Sequence, residues 1–182
     1  MTLEQSSGNR LRVLAISGSL RTASLNAGLL SASREVATDG MDVDIRGLPF
    51  YDEDLEAQGD PEPVSALKSA IRESDGVIFT TPGYNWGTYE VMKNTIDWAS
   101  CDREEGSLTG KPRTIICAGG RSGTARAQMQ LLETLGETGT IVMVRPGVLI
   151  AAFAPDTFDP KGNLISPDTR QLLGRHLEEF AQ

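Results

Sequence analysis

The sequence predicts an α/β domain, a parallel sheet with helices on both faces. Three observations predict it. Five short apolar runs alternate with segments of helical period along nearly the whole chain, the pattern of strands joined by crossover helices. Two runs, GVIFTT at 76–81 and TIICA at 114–118, are almost continuously apolar, as central strands buried on both faces require. Loops rich in Gly, Ser and Asn follow three of the runs, where open α/β sheets place their ligands.

The elements follow in order. Leu11 to Ser17 reads as the first strand and ends in Gly18-Ser19. Ser24 and Asn26 offer side-chain caps for a helix, with Leu25, Leu29 and Val36 near helical spacing. Met41 to Arg46 alternates apolar and polar, as a half-buried or edge strand does, and Gly47 to Gly59 reads as a polar loop. Asp60-Pro61 reads as cap and first residue of a helix whose apolar face is Val64, Leu67 and Ile71. After the strand at 76–81 and a loop at 82–88, Tyr89 to Ser100 is helical by period. Its face is Val91, Met92, Thr95, Ile96 and Ala99. The strand at 114–118 leads to the loop Gly119–Gly123 and a helix over 124–137. Thr140 to Phe153 is extended but broken at Arg145-Pro146-Gly147, because proline removes a ladder donor. A loop with turn signals at 161–163 precedes a last helix, Asp168 to Ala181, with Leu173, Leu177 and Phe180 on one face. Right-handed crossovers restrict the topology strongly.

The chain has 182 residues, enough for one domain with a real core. Its net charge of −8 repels nucleic-acid phosphates and argues against general nucleic-acid binding. Cys101 and Cys117 form no CxxC pair and no metal spacing, and both read as packing residues. Residues 1–10 are polar, carry no apolar signal core and read as a disordered tail. No apolar run approaches the length of a membrane span, so the expected location is the cytoplasm.

Three loops carry the unusual chemistry. GSLRTASLN at 18–26 sets hydroxyls and Arg21 before a helix start, where free N–H groups favour an anion. Arg21 adds a cation of bidentate reach, so a phosphate monoester suits the set. An ordinary capped turn is the plainer alternative. TPGYNWG at 81–87 offers a stiff backbone and aromatic faces that could line a flat ring or cover a subunit interface. GGRSG at 119–123 lets backbone N–H groups approach a ligand closely. No Walker loop is present, since Gly110-Lys111 is followed by Pro112, and the first turn lacks GxGxxG.

Taken together, these motifs resemble the NADPH-dependent FMN reductase family, which includes bacterial quinone, chromate and azo-dye reductases. The matching residues are Gly18-Ser19-Leu20-Arg21 with Ser24 and Asn26, and Leu48-Pro49-Phe50-Tyr51-Asp52-Glu53-Asp54. Thr81-Pro82 with Tyr84-Asn85, and Lys93-Asn94 with Ile96-Asp97-Trp98, match as well. Gly119-Gly120 with Gly123, and Phe158-Asp159 with Gly162, complete the set. The resemblance spans about residues 11–180. It implies one flavodoxin-like FMN-binding domain over 1–182, a three-layer sandwich on a five-stranded parallel sheet in the order 2-1-3-4-5. It implies that Ser19, Arg21, Ser24, Leu25 and Asn26 hold the FMN phosphate. Pro82, Gly83, Tyr84, Asn85 and Trp86 then lie along the ribityl chain and ring, and Gly119, Gly120, Arg121, Ser122 and Gly123 at the pyrimidine edge. NAD(P)H reduces the flavin, and a quinone, free flavin, azo compound or metal oxyanion then takes the electrons at the same face, a ping-pong scheme. No side chain is required as acid or base, and no metal is implied. A homodimer or homotetramer is implied, with the helix carrying Met92 to Trp98 as a candidate dimer surface, although Trp98 reads equally well as a core residue.

The second loop departs from the family pattern. Gly83 stands where Glu is common, Gly87 where Ser is, and Tyr89-Glu90 where Pro-Gly is. An alternative reading is a flavodoxin-type carrier that shuttles electrons between proteins without NAD(P)H turnover. A third is a relative that has lost its flavin. His176 reads as a solvated or boundary residue. Asp52, Glu53 and Asp54 read as solvated loop acids, and Lys93 with Asp97 as a surface pair at i,i+4.

Overall fold

A computed structural model describes residues 11–36, 39–101 and 106–182. The tail expected over residues 1–10 lies outside them. The strands are β1 (Arg12–Ser17), β2 (Asp39–Asp42), β3 (Gly76–Thr80), β4 (Pro112–Ala118) and β5 (Ile141–Ile150). The helices are α1 (Leu25–Val36), α2 (Glu53–Ala57), α3 (Glu62–Glu73), α4 (Glu90–Ser100), α5 (Ala125–Gly136) and α6 (Pro167–Phe180). The strands pair in parallel in the spatial order β2-β1-β3-β4-β5.

Side-chain alternation on β4 shows how the layers form. Ile115 and Cys117 face a core built from Leu14, Ile16, Val77 and Phe79 with α3, α4 and α5. Ile116 and Ala118 face a second core with α1 and α6, through Leu29, Leu30, Leu173 and Leu177. A strand buried on both faces cannot show polar alternation, which is why TIICA and GVIFT read as continuous runs. The arrangement is an α/β sandwich of flavodoxin-like type.

Four local readings are corrected. The strand expected over Met41–Arg46 ends at Asp42. There Asp44 turns its carboxylate onto the Arg46 backbone N–H (3.0 Å) and guanidinium (2.7 Å), a local turn that competes with the ladder. The stretch read as a loop over 47–59 contains α2, because Asp52 accepts from the N–H groups of Asp54 and Leu55 and so caps it. Pro61 rather than Asp60 precedes the first residue of α3; the Asp60 carboxylate instead takes the ammonium of buried Lys68 at 2.9 Å. His176 is buried rather than solvated. It falls three residues after Leu173 and so on the apolar face of α6. Its Nδ1 lies 2.5 Å from the Pro146 carbonyl and its Nε2 2.7 Å from the Thr114 hydroxyl.

The break expected in the last strand appears as a register shift between Thr114 and Ile116 opposite Arg145–Gly147. Trp98 belongs to the core, fully buried, and is no part of a subunit face. Its indole N–H and the Asn94 amide, one helical turn apart on α4, both donate to the Pro49 carbonyl at 2.9 Å. Asn94 also accepts from the Tyr51 N–H at 2.7 Å. The motif around Lys93–Trp98 and the one around Leu48–Asp54 therefore hold each other.

Candidate functional site

The site is built where β1, β3 and β4 end. The Gly18 N–H donates to the Thr80 carbonyl at 2.7 Å, which turns the chain sharply out of β1. Seven residues on, α1 begins. Ser24 caps it by accepting from the Ala27 N–H at 3.3 Å. Asn26 is buried and spans to β4, donating to the Ala118 carbonyl (3.2 Å) and accepting from the Ala118 N–H (2.8 Å). Those two bonds fix the first loop on the sheet. Arg21 folds back to donate to the Ala23 carbonyl at 2.8 Å. Among the described residues, none of the N–H groups of Thr22, Ala23, Ser24, Leu25 and Asn26 donates a hydrogen bond. This is a run of free donors at a helix start beside an arginine, the chemistry of a phosphate cradle.

The second and third loops touch. A Cβ built on Gly83 would stand 3.4 Å from Thr124 and 3.6 Å from Ala127. Gly83, Trp86, Gly119, Gly120, Arg121 and Ser122 line one open cleft of about 440 Å³, joined by Thr124, Arg126 and Ala127. The third loop is pinned to β5, with the Gly119 N–H on the Ile150 carbonyl and the Ala152 N–H on the Gly120 carbonyl, each 3.0 Å. Gly123 has φ +57°, and a Cβ there would lie 2.5 Å from the Leu149 backbone, so only glycine fits. The N–H groups of Gly120, Arg121, Ser122 and Gly123 donate to nothing among the described residues. In front of Gly120 the space is open.

The second loop is strained. Asn85 and Trp86 both have positive φ, 48° and 66°, a conformation that costs of order 1–3 kcal/mol per residue. Thr88 holds the loop to α5, its N–H on the Gln130 side chain and its hydroxyl on the Ala127 carbonyl, each 2.9 Å. Trp86 stays 66% exposed, with the Arg126 guanidinium 3.5 Å above its ring. Tyr89, one of the departures, packs edge-on against Tyr84 with ring centres 5.0 Å apart. Neither aromatic plugs the cleft. Pro82 is buried, and Asn85 lines a neighbouring depression with Trp86, Arg126 and Met129.

The predicted residues therefore separate into a donor-rich first loop (Ser19, Arg21, Ser24, Leu25, Asn26) and an open cleft (Gly83, Trp86, Gly119–Ser122), joined through Asn26 and Ala118. Thr124 and Arg126 were not among them. Their signal was available, since the start of a helix after a glycine-rich loop faces what the loop faces. Burial pushes the Cys117 thiol up to about 11, so it stays protonated and inert near neutral pH.

A flavodoxin-like sheet with free backbone donors beside an arginine, and an open glycine-lined cleft on the same carboxyl edge, has the form of an FMN-type flavoprotein. Residues 11–155 match the profile of the NADPH-dependent FMN reductase family, and the chain belongs to that family. It is 40% identical over 172 residues to an NAD(P)H-dependent FMN reductase of Pseudomonas aeruginosa, covering 92% of each chain. It is 34% identical to a 2-hydroxy-1,4-benzoquinone reductase of a Burkholderia species, covering 94% of each. Among solved structures it superposes on the flavoenzyme NAD(P)H:(acceptor) oxidoreductase FerB of Paracoccus denitrificans with TM-score 0.84 and 33% identity, covering 93% of this chain and 94% of that one.

Proposed function

We propose that this protein is an FMN-dependent oxidoreductase that passes electrons from NAD(P)H to small quinone-type acceptors. The observation that carries the proposal is the run of five free N–H groups beside Arg21, on the same sheet edge as the Gly119–Ser122 cleft. The reading places the phosphate of FMN on Ser19, Arg21, Ser24, Leu25 and Asn26. It places the ribityl chain and ring along Pro82, Gly83, Tyr84, Asn85 and Trp86, and the pyrimidine edge on Gly119, Gly120, Arg121, Ser122 and Gly123. Bound FMN supplies the hydride chemistry itself. The free N–H groups of 120–123 would stabilise negative charge at the edge of the ring. Trp86, exposed and held by Arg126, would shape the face where nicotinamide and acceptor succeed one another. The 2-1-3-4-5 parallel order of a flavodoxin is the frame in which these loops share one edge. Relatives that are an NAD(P)H-dependent FMN reductase, an NADPH:quinone oxidoreductase and a 2-hydroxy-1,4-benzoquinone reductase support the reading.

The same reading takes the protein as a cytoplasmic homodimer or homotetramer that binds neither nucleic acid nor membrane. Phe50, 79% exposed on a loop rigidly tied to α4, supports contact between copies. No helix among the described residues is long and apolar enough to cross a membrane.

The test is an absorbance spectrum of the purified protein with FMN, then anaerobic titration with NADPH and NADH and a panel of quinones. Flavin absorbance that bleaches with reductant and returns with quinone, with parallel double-reciprocal plots, is expected. A protein that takes up no FMN, or one that binds it but does not oxidise NAD(P)H, would sink the proposal. The second outcome would favour a carrier.

A further inference from the structure

The segment Asp159–Asn163 matches a family motif but has no place in the site described above. Its geometry is specific. The Asp159 carboxylate accepts from the N–H groups of Lys161 (2.8 Å) and Asn163 (2.9 Å) and from the Asn163 side-chain amide (2.8 Å). The Asp159 N–H returns to the Asn163 carbonyl at 3.0 Å, and the Gly162 N–H to the Asp159 carbonyl at 2.9 Å. The result is a small closed loop with Gly162 at its tip, at φ +88°. The Asn163 and Lys161 donors hold the Asp159 carboxyl below its usual range, so the loop stays tied near neutral pH. Behind it, Leu164 is buried in the core, and the Arg170 guanidinium donates to the Leu164 carbonyl at 2.7 Å and to Glu35 at 2.6 Å.

The tip rests on the phosphate cradle. A Cβ on Gly28, in the first turns of α1, would fall 1.9 Å from the Gly162 carbonyl oxygen. A Cβ on Gly162 would lie 3.2–3.3 Å from the Ala23 carbonyl group and 3.3 Å from the Ser24 carbonyl. The Gly162 carbonyl leaves no room for a side chain at Gly28, and the positive φ of Gly162 favours glycine there. The Ala23–Ser24 peptide has a free N–H, and its carbonyl takes Arg21. Asn26 pins the cradle from the sheet side, and Gly162 closes it from the opposite end of the sequence.

We propose that the Asp159–Asn163 loop is a positioning element for the phosphate cradle, seated through the Gly28–Gly162 contact, and that it sets the preference for FMN over riboflavin. The inference rests on the reading of Ser19–Asn26 as the phosphate site. The Asp159 carboxylate is engaged within its own loop. It acts by holding the Ala23–Ser24 peptide, so its loss should be felt by the phosphate alone.

The experiment titrates apoprotein with FMN and with riboflavin, following flavin fluorescence. Wild type should prefer FMN. Asp159→Ala, which unties the loop without touching the core, should weaken FMN about tenfold and leave riboflavin unchanged. Asp159→Asn keeps an acceptor oxygen for the two backbone donors and should restore most of the preference. Gly28→Ala, checked for folding by circular dichroism, should reproduce the selective loss. Equal losses for both flavins, or no loss for either, would overturn the proposal. A wild type that binds riboflavin as tightly as FMN would overturn the phosphate-site reading itself, and this inference with it.

Discussion

The loops at 18–26 and 82–88 leave neighbouring strands of one sheet, yet they are held in opposite ways. The first is tied on several sides: Ser24 caps α1, Asn26 takes both backbone groups of Ala118, and Gly162 presses on its peptide. Gly18, Ser24 and Asn26 are buried while Leu20, Arg21 and Thr22 stand exposed, so the loop is fixed at its two ends and open at its tip. The second holds two successive residues at positive φ, exposes Tyr84 and Trp86, and is anchored mainly through Thr88. On the proposed reading, a well-tied grip for an unvarying phosphate sits beside a strained, accessible face for changing partners. The departures from the family pattern, Gly83, Gly87 and Tyr89, all fall in the second loop or at its end. A change there leaves the anchor intact.

Four outcomes would break or sharpen this contrast. Asn26→Ala should have the largest effect. It leaves the buried N–H and carbonyl of Ala118 unpaired, at about 1–3 kcal/mol each. Urea unfolding should show destabilisation on that scale, and FMN affinity should fall by about a hundredfold or more. If the first loop holds the phosphate as proposed, Arg21→Ala removes one charged partner of it, an interaction of about 1.5–3 kcal/mol. FMN affinity should drop roughly ten- to hundredfold while stability and riboflavin affinity hold. An equal loss for both flavins would place Arg21 elsewhere than at the phosphate.

Trp86→Ala tests the other loop. It should shift the KM for quinones several-fold and leave FMN affinity unchanged, with stability altered by no more than about 1 kcal/mol. A large loss of FMN binding would erase the division between anchor and face.

The smallest effect concerns pH. Burial holds His176 below its usual value of 6.5, against the opposing Pro146 carbonyl bond. The unfolded chain therefore takes up the proton first as pH falls. The stability due to neutral His176 is full above about pH 6.5 and is lost progressively below it. Wild-type urea midpoints should decline from pH 6.5 to 5.5, and His176→Gln should flatten that decline.

Much of this was legible in the chain. Strand ends followed by unusual loops located the site, because ligands of open α/β sheets lie there. Binary pattern located both cores, down to Leu173 and Leu177. The misreadings have physical causes. Asp44 and Asp52 act on nearby backbone N–H groups, and such local bonds override hydropathic alternation. His176 was judged by its chemistry and not by its position three residues from Leu173. The Gly28–Gly162 contact and the grip of Asn94 and Trp98 on Pro49 join distant stretches of backbone. Motifs can be seen separately in a sequence, but nothing in it states that one rests on another.

The two outer strands carry a consequence of their own. β2 has only four residues, and β5 is interrupted by Pro146, which offers no N–H. Short or proline-broken borders are poor templates for a foreign strand. Both rims of the sheet thus discourage edge-to-edge pairing of copies, the usual first step from a folded sheet toward a fibril.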